Sequence, residues 1–78
     1  MHVRIASPFK TFYDDEAYSI SGVNGSGPFD ILPKHHNFIS LLSEGELVVR
    51  HYREPIKVRI SGGVMHVKSD QIVVFLNV

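Results

Sequence analysis

The chain of 78 residues contains no cysteine. Without thiols it can form neither a disulfide framework nor a thiolate metal site. An excess of one charge is also missing, because eight Lys and Arg residues balance eight Asp and Glu residues. A chain without net positive charge is a poor candidate for binding nucleic acids or anionic membranes, and we expect neither partner.

Long apolar stretches are absent as well. No run approaches the roughly 18 apolar residues of a transmembrane helix. The first ten residues, MHVRIASPFK, are too polar for the apolar region of a signal peptide. The length corresponds to one domain, and a domain of this size buries only about 60% of its unfolded surface. We therefore expect an interaction domain rather than a domain with a deep active site.

The sequence does contain several short segments with the two-residue period of β-strands. In residues 56–60 (IKVRI), the three apolar side chains share one face and the two basic side chains share the other. Further strands are predicted at residues 2–6, 16–20, 46–52 and 63–67. Residues 71–78 (QIVVFLNV) form a nearly unbroken apolar run, which is typical of a strand buried on both sides. Residues 37–46 could form one or two helical turns, but a strand is favoured.

Turn-forming residues separate these segments at intervals of about 8–12 residues, and no long segment has a helical period. These features predict an all-β fold, a β-sandwich of two small sheets with about eight to ten short strands. The apolar residues that alternate along each predicted strand are expected to form the core. Its members are Val3, Ile5, Ile20, Ile31, Leu41, Leu47, Val49, Val58, Ile60, Val67, Ile72, Val74 and Leu76.

The most conspicuous polar group is the adjacent pair His35 and His36. Adjacent side chains of an extended chain point to opposite faces, so these two imidazoles cannot bind one metal ion together. The remaining histidines, His2, His51 and His66, lie in separate predicted strands. We therefore expect no metal site, and we predict that residues 34–36 form the outside of a replaceable turn.

Two other groups of residues could suggest an active site, but we interpret both as structural. The glycines of residues 22–27 have the spacing G-x-x-G-x-G and precede Pro28, whereas a phosphate loop needs a following helix. We interpret them as a loop between strands. The run Asp14, Asp15 and Glu16 is predicted to be a solvated hairpin turn rather than a pair of opposed catalytic carboxylates. Since no nucleophile elbow is present, we predict no catalytic residue and no cofactor.

The order of these segments resembles the N-terminal β-sandwich domain of the epsilon subunit of F-type ATP synthases. DILPKH at residues 30–35 is similar to the family's G-I-L-P-G-H turn. SGG at residues 61–63 is similar to its V-S-G-G-F-x-E-V segment, and SDQIVVFL at residues 69–76 to its closing x-N-x-V-T-I-L strand. The resemblance covers residues 1–78 as one epsilon-type domain. The chain departs from the family pattern at residues 27–30, where Gly-Pro-Phe-Asp replaces Gly-Glu-Leu-Gly.

The resemblance implies a noncatalytic rotor subunit that joins the gamma subunit to the loops of the membrane c-ring, for proton- or sodium-coupled ATP synthesis. It implies that Ser7, His35 and Ser40 face gamma, and that Pro28, Phe29 and Asp30 face the ring. Phe29 is equally consistent with a core residue. The implied location is the cytoplasmic face of the inner (plasma) membrane, with attachment only through the complex.

Members of this family continue into a C-terminal helical hairpin, which inhibits rotation and in some members binds ATP. The present sequence ends directly after its last predicted strand, and a natural short form and a shortened chain both stay open. We expect the sandwich alone neither to inhibit rotation nor to bind ATP. The alternative hypothesis is a free-standing β-sandwich that acts as a binding or pH-sensing module, which the five histidines suggest.

Overall fold

A computed structural model of the chain describes residues 1–33 and 37–77. These residues form nine β-strands, and no helix occurs in the described ranges. The strands are β1 (His2–Ala6), β2 (Thr11–Glu16), β3 (Ser19–Asn24), β4 (Gly27–Ile31), β5 (Phe38–Leu42), β6 (Gly45–Arg50), β7 (Ile56–Ile60), β8 (Gly63–Lys68) and β9 (Gln71–Leu76). Accordingly, the described part of the chain contains no helix that could cross a membrane.

The strands pair in the order β2-β1-β9-β8-β5-β3-β6-β7, and β4 pairs with the other edge of β3. Strands β3 and β5 share a single residue pair, Asn24 with Leu42. This junction divides the order into a first sheet of β2-β1-β9-β8-β5 and a second sheet of β4-β3-β6-β7. All pairings are antiparallel except that of β1 with β9. The predicted all-β sandwich is confirmed.

One hydrophobic core lies between the two sheets. The first sheet contributes Ile5, Met65 and Val74, which are fully buried. Ile20 and Leu47 from the second sheet are also fully buried and belong to the same cluster. The alternation of buried and exposed residues along β8 follows from the pleat of a strand, which points successive side chains to opposite faces. All predicted core residues except Leu41 and Val58 are buried.

The predicted burial of Leu41 is wrong, because its side chain is 73% exposed whereas Leu42 is buried. Both faces of β5 carry apolar residues, so the sequence of that segment does not determine which face meets the core. Val58 is only partly buried but packs against the core. The expectation that β9 is buried on both sides is also wrong, since Phe75 is 59% exposed.

Two predicted turns belong to strands. Residues 14–16 were expected in a hairpin turn, but they are exposed residues of β2. The predicted loop at residues 22–27 shortens to Gly25 and Ser26, because β3 and β4 form a hairpin on either side of these two residues. The predicted strand at residues 37–46 is confirmed as β5 over Phe38–Leu42.

Candidate protein interface

The outward face of the first sheet carries an apolar patch that consists of Ile39, Leu41, Val64 and Phe75. Their side chains are 67%, 73%, 36% and 59% exposed, respectively. Leu41 lies opposite Val64, and Val64 lies opposite Phe75, so three neighbouring strands contribute to one row. Contiguous exposed apolar surface of this kind marks interaction sites in soluble proteins.

The same face becomes more polar away from this row. In the next row, His66 lies between Ile39 and Val73. Val73 in turn lies opposite Arg4. Because residues paired across strands share a face of the sheet, the outward face changes from apolar to charged across a few residues of each strand.

At the charged end, His2 lies between two carboxylates of β2. Its Nε2 is 2.5 Å from Oδ1 of Asp14, and its Nδ1 is 3.3 Å from Oε2 of Glu16. The hydrogen bond to Asp14, with a smaller contribution from Glu16, raises the pKa of His2 above its ordinary value, although partial burial opposes the shift. The Met1 ammonium also lies 3.7 Å from Glu16. These two carboxylates therefore have partners within the chain.

The outward face of the second sheet carries a hydrogen-bonded polar group. The Ser21 hydroxyl donates to the Asp30 carboxylate. The same hydroxyl accepts a hydrogen bond of 2.8 Å from Nη1 of Arg50. Ser21 is opposite Asp30 in the β3–β4 register. The polar groups at the centre of this face are thus satisfied internally.

An open cavity of 290 Å³ lies near the ends of β2 and β6. Its lining residues are Met1, Glu16, Ala17, Tyr18, Pro33, His51 and Tyr52. The ring of His51 makes edge contacts with Tyr13 and Tyr52, both with centroids 5.7 Å apart. Its Nε2 is buried and has no hydrogen-bond partner among the described residues. Residues 1–33 and 37–77 contain no group of three or more His, Cys, Asp or Glu side chains that could hold a metal ion.

The two predicted serine contacts have hydrogen-bond partners inside the chain. The Ser7 hydroxyl, in the β1–β2 connection, accepts from the Phe9 amide at 3.3 Å and donates to the Lys10 carbonyl at 3.4 Å. Ser40 is partly buried and accepts a hydrogen bond of 3.2 Å from Asn24. It lies opposite Met65, which is fully buried. Its side chain thus belongs to the inward side of β5.

The predicted ring-facing residues are consecutive in β4 and differ in orientation. Pro28 and Asp30 are exposed. Phe29 is partly buried and packs against the core, in agreement with the core alternative. The proline suits this position because β4 is an edge strand, where an amide hydrogen is not needed on the free side. His35 lies outside the described residues together with the rest of the predicted turn at 34–36.

Sequence reasoning therefore missed the residues of the apolar patch. Leu41 was assigned to the core, and Val64 and Phe75 were included only in strand patterns. The sequence signal that could have revealed the patch is the presence of apolar residues on both faces of β5 and β9, as in FISLL and QIVVFL. Such segments supply more apolar side chains than one core face can bury.

Comparisons with known proteins agree with the fold. The family model described as the ATP synthase, Delta/Epsilon chain, beta-sandwich domain matches residues 1–78. The chain is 29% identical over 75 residues to the ATP synthase epsilon chain of Ruthia magnifica subsp. Calyptogena magnifica, covering 96% of this chain and 54% of the relative. It is 31% identical over 75 residues to that of Synechococcus elongatus, covering 96% of this chain and 55% of the relative. The chain thus spans about half the length of the curated relatives that it matches.

Solved structures give the same architecture. One chain of the Tetrahymena thermophila mitochondrial ATP synthase central stalk/c-ring structure superposes with a TM-score of 0.84 at 20% identity, covering 97% of this chain and 62% of that chain. One chain of the Euglena gracilis mitochondrial ATP synthase OSCP/F1/c-ring structure superposes with a TM-score of 0.86 at 19% identity, covering 95% of this chain and 48% of that chain. At these identities the likeness concerns the fold.

Proposed function

Since the chain belongs to the family of ATP synthase delta/epsilon chain β-sandwich domains, we propose that it is a noncatalytic coupling subunit in the central stalk of an F-type ATP synthase. In this role it binds the gamma subunit and the loops of the c-ring, and the chemistry takes place elsewhere in the complex. The observation that carries the proposal is the apolar patch, which gives a small sandwich a surface for a permanent protein partner. Family membership favours this role over a free-standing module.

The apolar patch is the proposed contact with gamma. Ser40, which the resemblance assigns to gamma, lies between Ile39 and Leu41 in β5, although its own side chain is turned inward. Ser7 directly follows Ala6, whose partner across β1 and β9 is Phe75. Both serines are therefore next in sequence to residues of the patch or to a residue paired with it. We assign the binding energy to the apolar side chains, because the fully buried core of an interface is more apolar than its rim and is depleted of charged residues.

The proposed contact with the c-ring is the exposed side of β4. Pro28 and Asp30 are exposed on this edge strand, and Phe29 anchors the strand to the core from the inward side. An edge strand held in this way resists displacement when a load is applied to it. A contact on each sheet would let the sandwich transmit torque between two partners, with the complex at the cytoplasmic face of the inner membrane.

The test is the affinity of this chain for the gamma subunit encoded by the same genome. We expect Leu41→Asp to weaken binding by at least about tenfold, since a charge would replace a buried apolar anchor. Tyr52→Asp is the matched control, because Tyr52 is 72% exposed but lies between β6 and β7 of the second sheet, outside the apolar patch. It should leave the affinity within about twofold of the parent.

Circular dichroism of both variants would verify that they are folded. Failure of the unchanged chain to bind gamma would overturn the proposal. Equal losses for Leu41→Asp and Tyr52→Asp would overturn the assignment of the contact to the apolar patch.

A further inference from the structure

The outward face of the first sheet also carries three exposed basic side chains, Arg4, His66 and Lys68. None of them forms an ion pair among the described residues. Asp14 lies opposite Arg4 in the β1–β2 register, whereas His66 and Lys68 lie opposite Val73 and Gln71. The basic surface that has no carboxylate opposite it is therefore on β8, although the net charge of the whole chain is zero.

These basic residues adjoin the apolar patch. His66 is opposite Ile39, which is a member of the patch. Lys68 is two residues further along β8 on the same face, and Arg4 is separated from His66 by one strand. Strand spacing puts Arg4 and Lys68 each within about 10 Å of His66. We name these three residues the basic band.

We propose that the gamma surface that covers this face presents carboxylates beside an apolar ridge, so that the ridge covers the apolar patch and the carboxylates pair with the basic band. This inference rests on the proposed binding of gamma at the patch and specifies its chemistry. A partner that covered these cations with apolar groups would have to desolvate them without compensation, which is strongly unfavourable. Complementary charges at the rim also orient the encounter of the two proteins.

The experiment measures the dissociation constant of this chain and its gamma subunit in low and high salt. Raising the salt from about 50 to about 300 mM should weaken binding several-fold, because the charges lie at the rim and are screened. Lys68→Glu should weaken binding by about tenfold, since it would oppose like charges. Lys57→Glu is the matched control, because Lys57 is an exposed strand lysine of the second sheet and forms no ion pair within residues 1–33 and 37–77.

Equal effects of Lys68→Glu and Lys57→Glu, or an affinity that does not fall as the salt is raised, would overturn the inference. Either result could occur while Leu41→Asp still weakens binding, so failure of the basic band is distinguishable from failure of the proposed function.

Discussion

The two outward faces of the sandwich use the same alternation of side chains in different ways. On the second sheet, Ser21 and its two polar neighbours form hydrogen bonds with one another. On the first sheet, the apolar patch is exposed, and the basic band beside it has no ion pair among the described residues. The polar groups at the centre of the second face are thus bonded within the chain, whereas the apolar patch of the first face has contacts still to make.

Because of this difference, one face contributes to the stability of the free chain and the other to the binding of a partner. Groups that are already bonded contribute to the free energy of unfolding of the free chain. Exposed apolar groups contribute little until a partner covers them. Substitutions in the bonded polar group of the second sheet should therefore lower the free energy of unfolding. Substitutions in the apolar patch should mainly weaken the binding of a partner.

The largest effect is expected beneath the apolar patch, at Gly63 of β8. A Cβ at this position would lie 2.5 Å from the carbonyl oxygen of Phe75, so the backbones of β8 and β9 would have to separate. We expect Gly63→Ala to lower the free energy of unfolding by about 3 kcal/mol. Urea unfolding followed by circular dichroism would measure the change.

Glycines of the second sheet and of the β3–β4 hairpin provide the comparison. A Cβ at Gly22 would lie 2.9 Å from Cδ2 of Leu47, a side chain that can move, so Gly22→Ala should cost only about 1 kcal/mol. Gly25 has no atom within 4 Å of such a Cβ, and Gly25→Ala should be close to neutral. A harmless Gly63→Ala would contradict the close approach of β8 and β9.

A smaller change in the free energy of unfolding is expected from one substitution on each outward face. Arg50→Met removes the donor to Ser21 and should lower the free energy of unfolding by up to about 1 kcal/mol, as expected for an exposed hydrogen bond. Leu41→Ser should change it by less than about 0.5 kcal/mol, because Leu41 is mostly exposed in the free chain. Unfolding midpoints of both variants would measure these changes. If Leu41→Ser were the more damaging of the two, the apolar patch would be part of the core and not a free surface.

The smallest effect concerns pH and the charged end of the first sheet. The pKa of His2 is raised above 6.5 by its hydrogen bond to Asp14. The folded state therefore binds the proton more tightly than the unfolded chain, and this stabilisation is fully present below the ordinary histidine pKa. It is lost as the pH rises through the higher pKa of the folded state. Because His2 and Asp14 are exposed, solvent screening should keep the effect to a few tenths of a kcal/mol.

An NMR titration of the His2 ring would give its pKa directly. His2→Gln should reduce stability at about pH 5.5 and leave it unchanged at about pH 8.5. His66→Gln is the control, since no carboxylate of the described residues pairs with that ring. A titration midpoint at or below the ordinary histidine value would contradict the pairing of His2 with β2.

The sequence predicts the buried face of a strand correctly where one face is apolar and the other is polar. Residues 2–6 and 56–60 show this alternation, and they coincide with the observed strands β1 and β7. The prediction failed where both faces are apolar, because neither Leu41 nor Phe75 could be assigned to a face from its neighbours alone. Residues 14–16 were mistaken for a turn because acidic residues have low strand propensity. Their place in β2 depends on pairing with β1, which includes the contacts to His2.

The sequence by itself determined the fold class, the approximate positions of β1 and of β5 to β9, and the resemblance to the delta/epsilon family, because alternation and turn residues act locally. It predicted neither β2 nor β4, and the strand predicted at residues 16–20 spans the break between β2 and β3. The tertiary structure alone decided which face of β5 and β9 meets the core. It also decided that Ser40 turns inward, and that Arg4, His66 and Lys68 share one face with the apolar patch. The physical reason is that a strand has two equivalent faces until its neighbours are paired, and a shift of one residue exchanges them. The surface proposed for binding is therefore a property of the strand order and register.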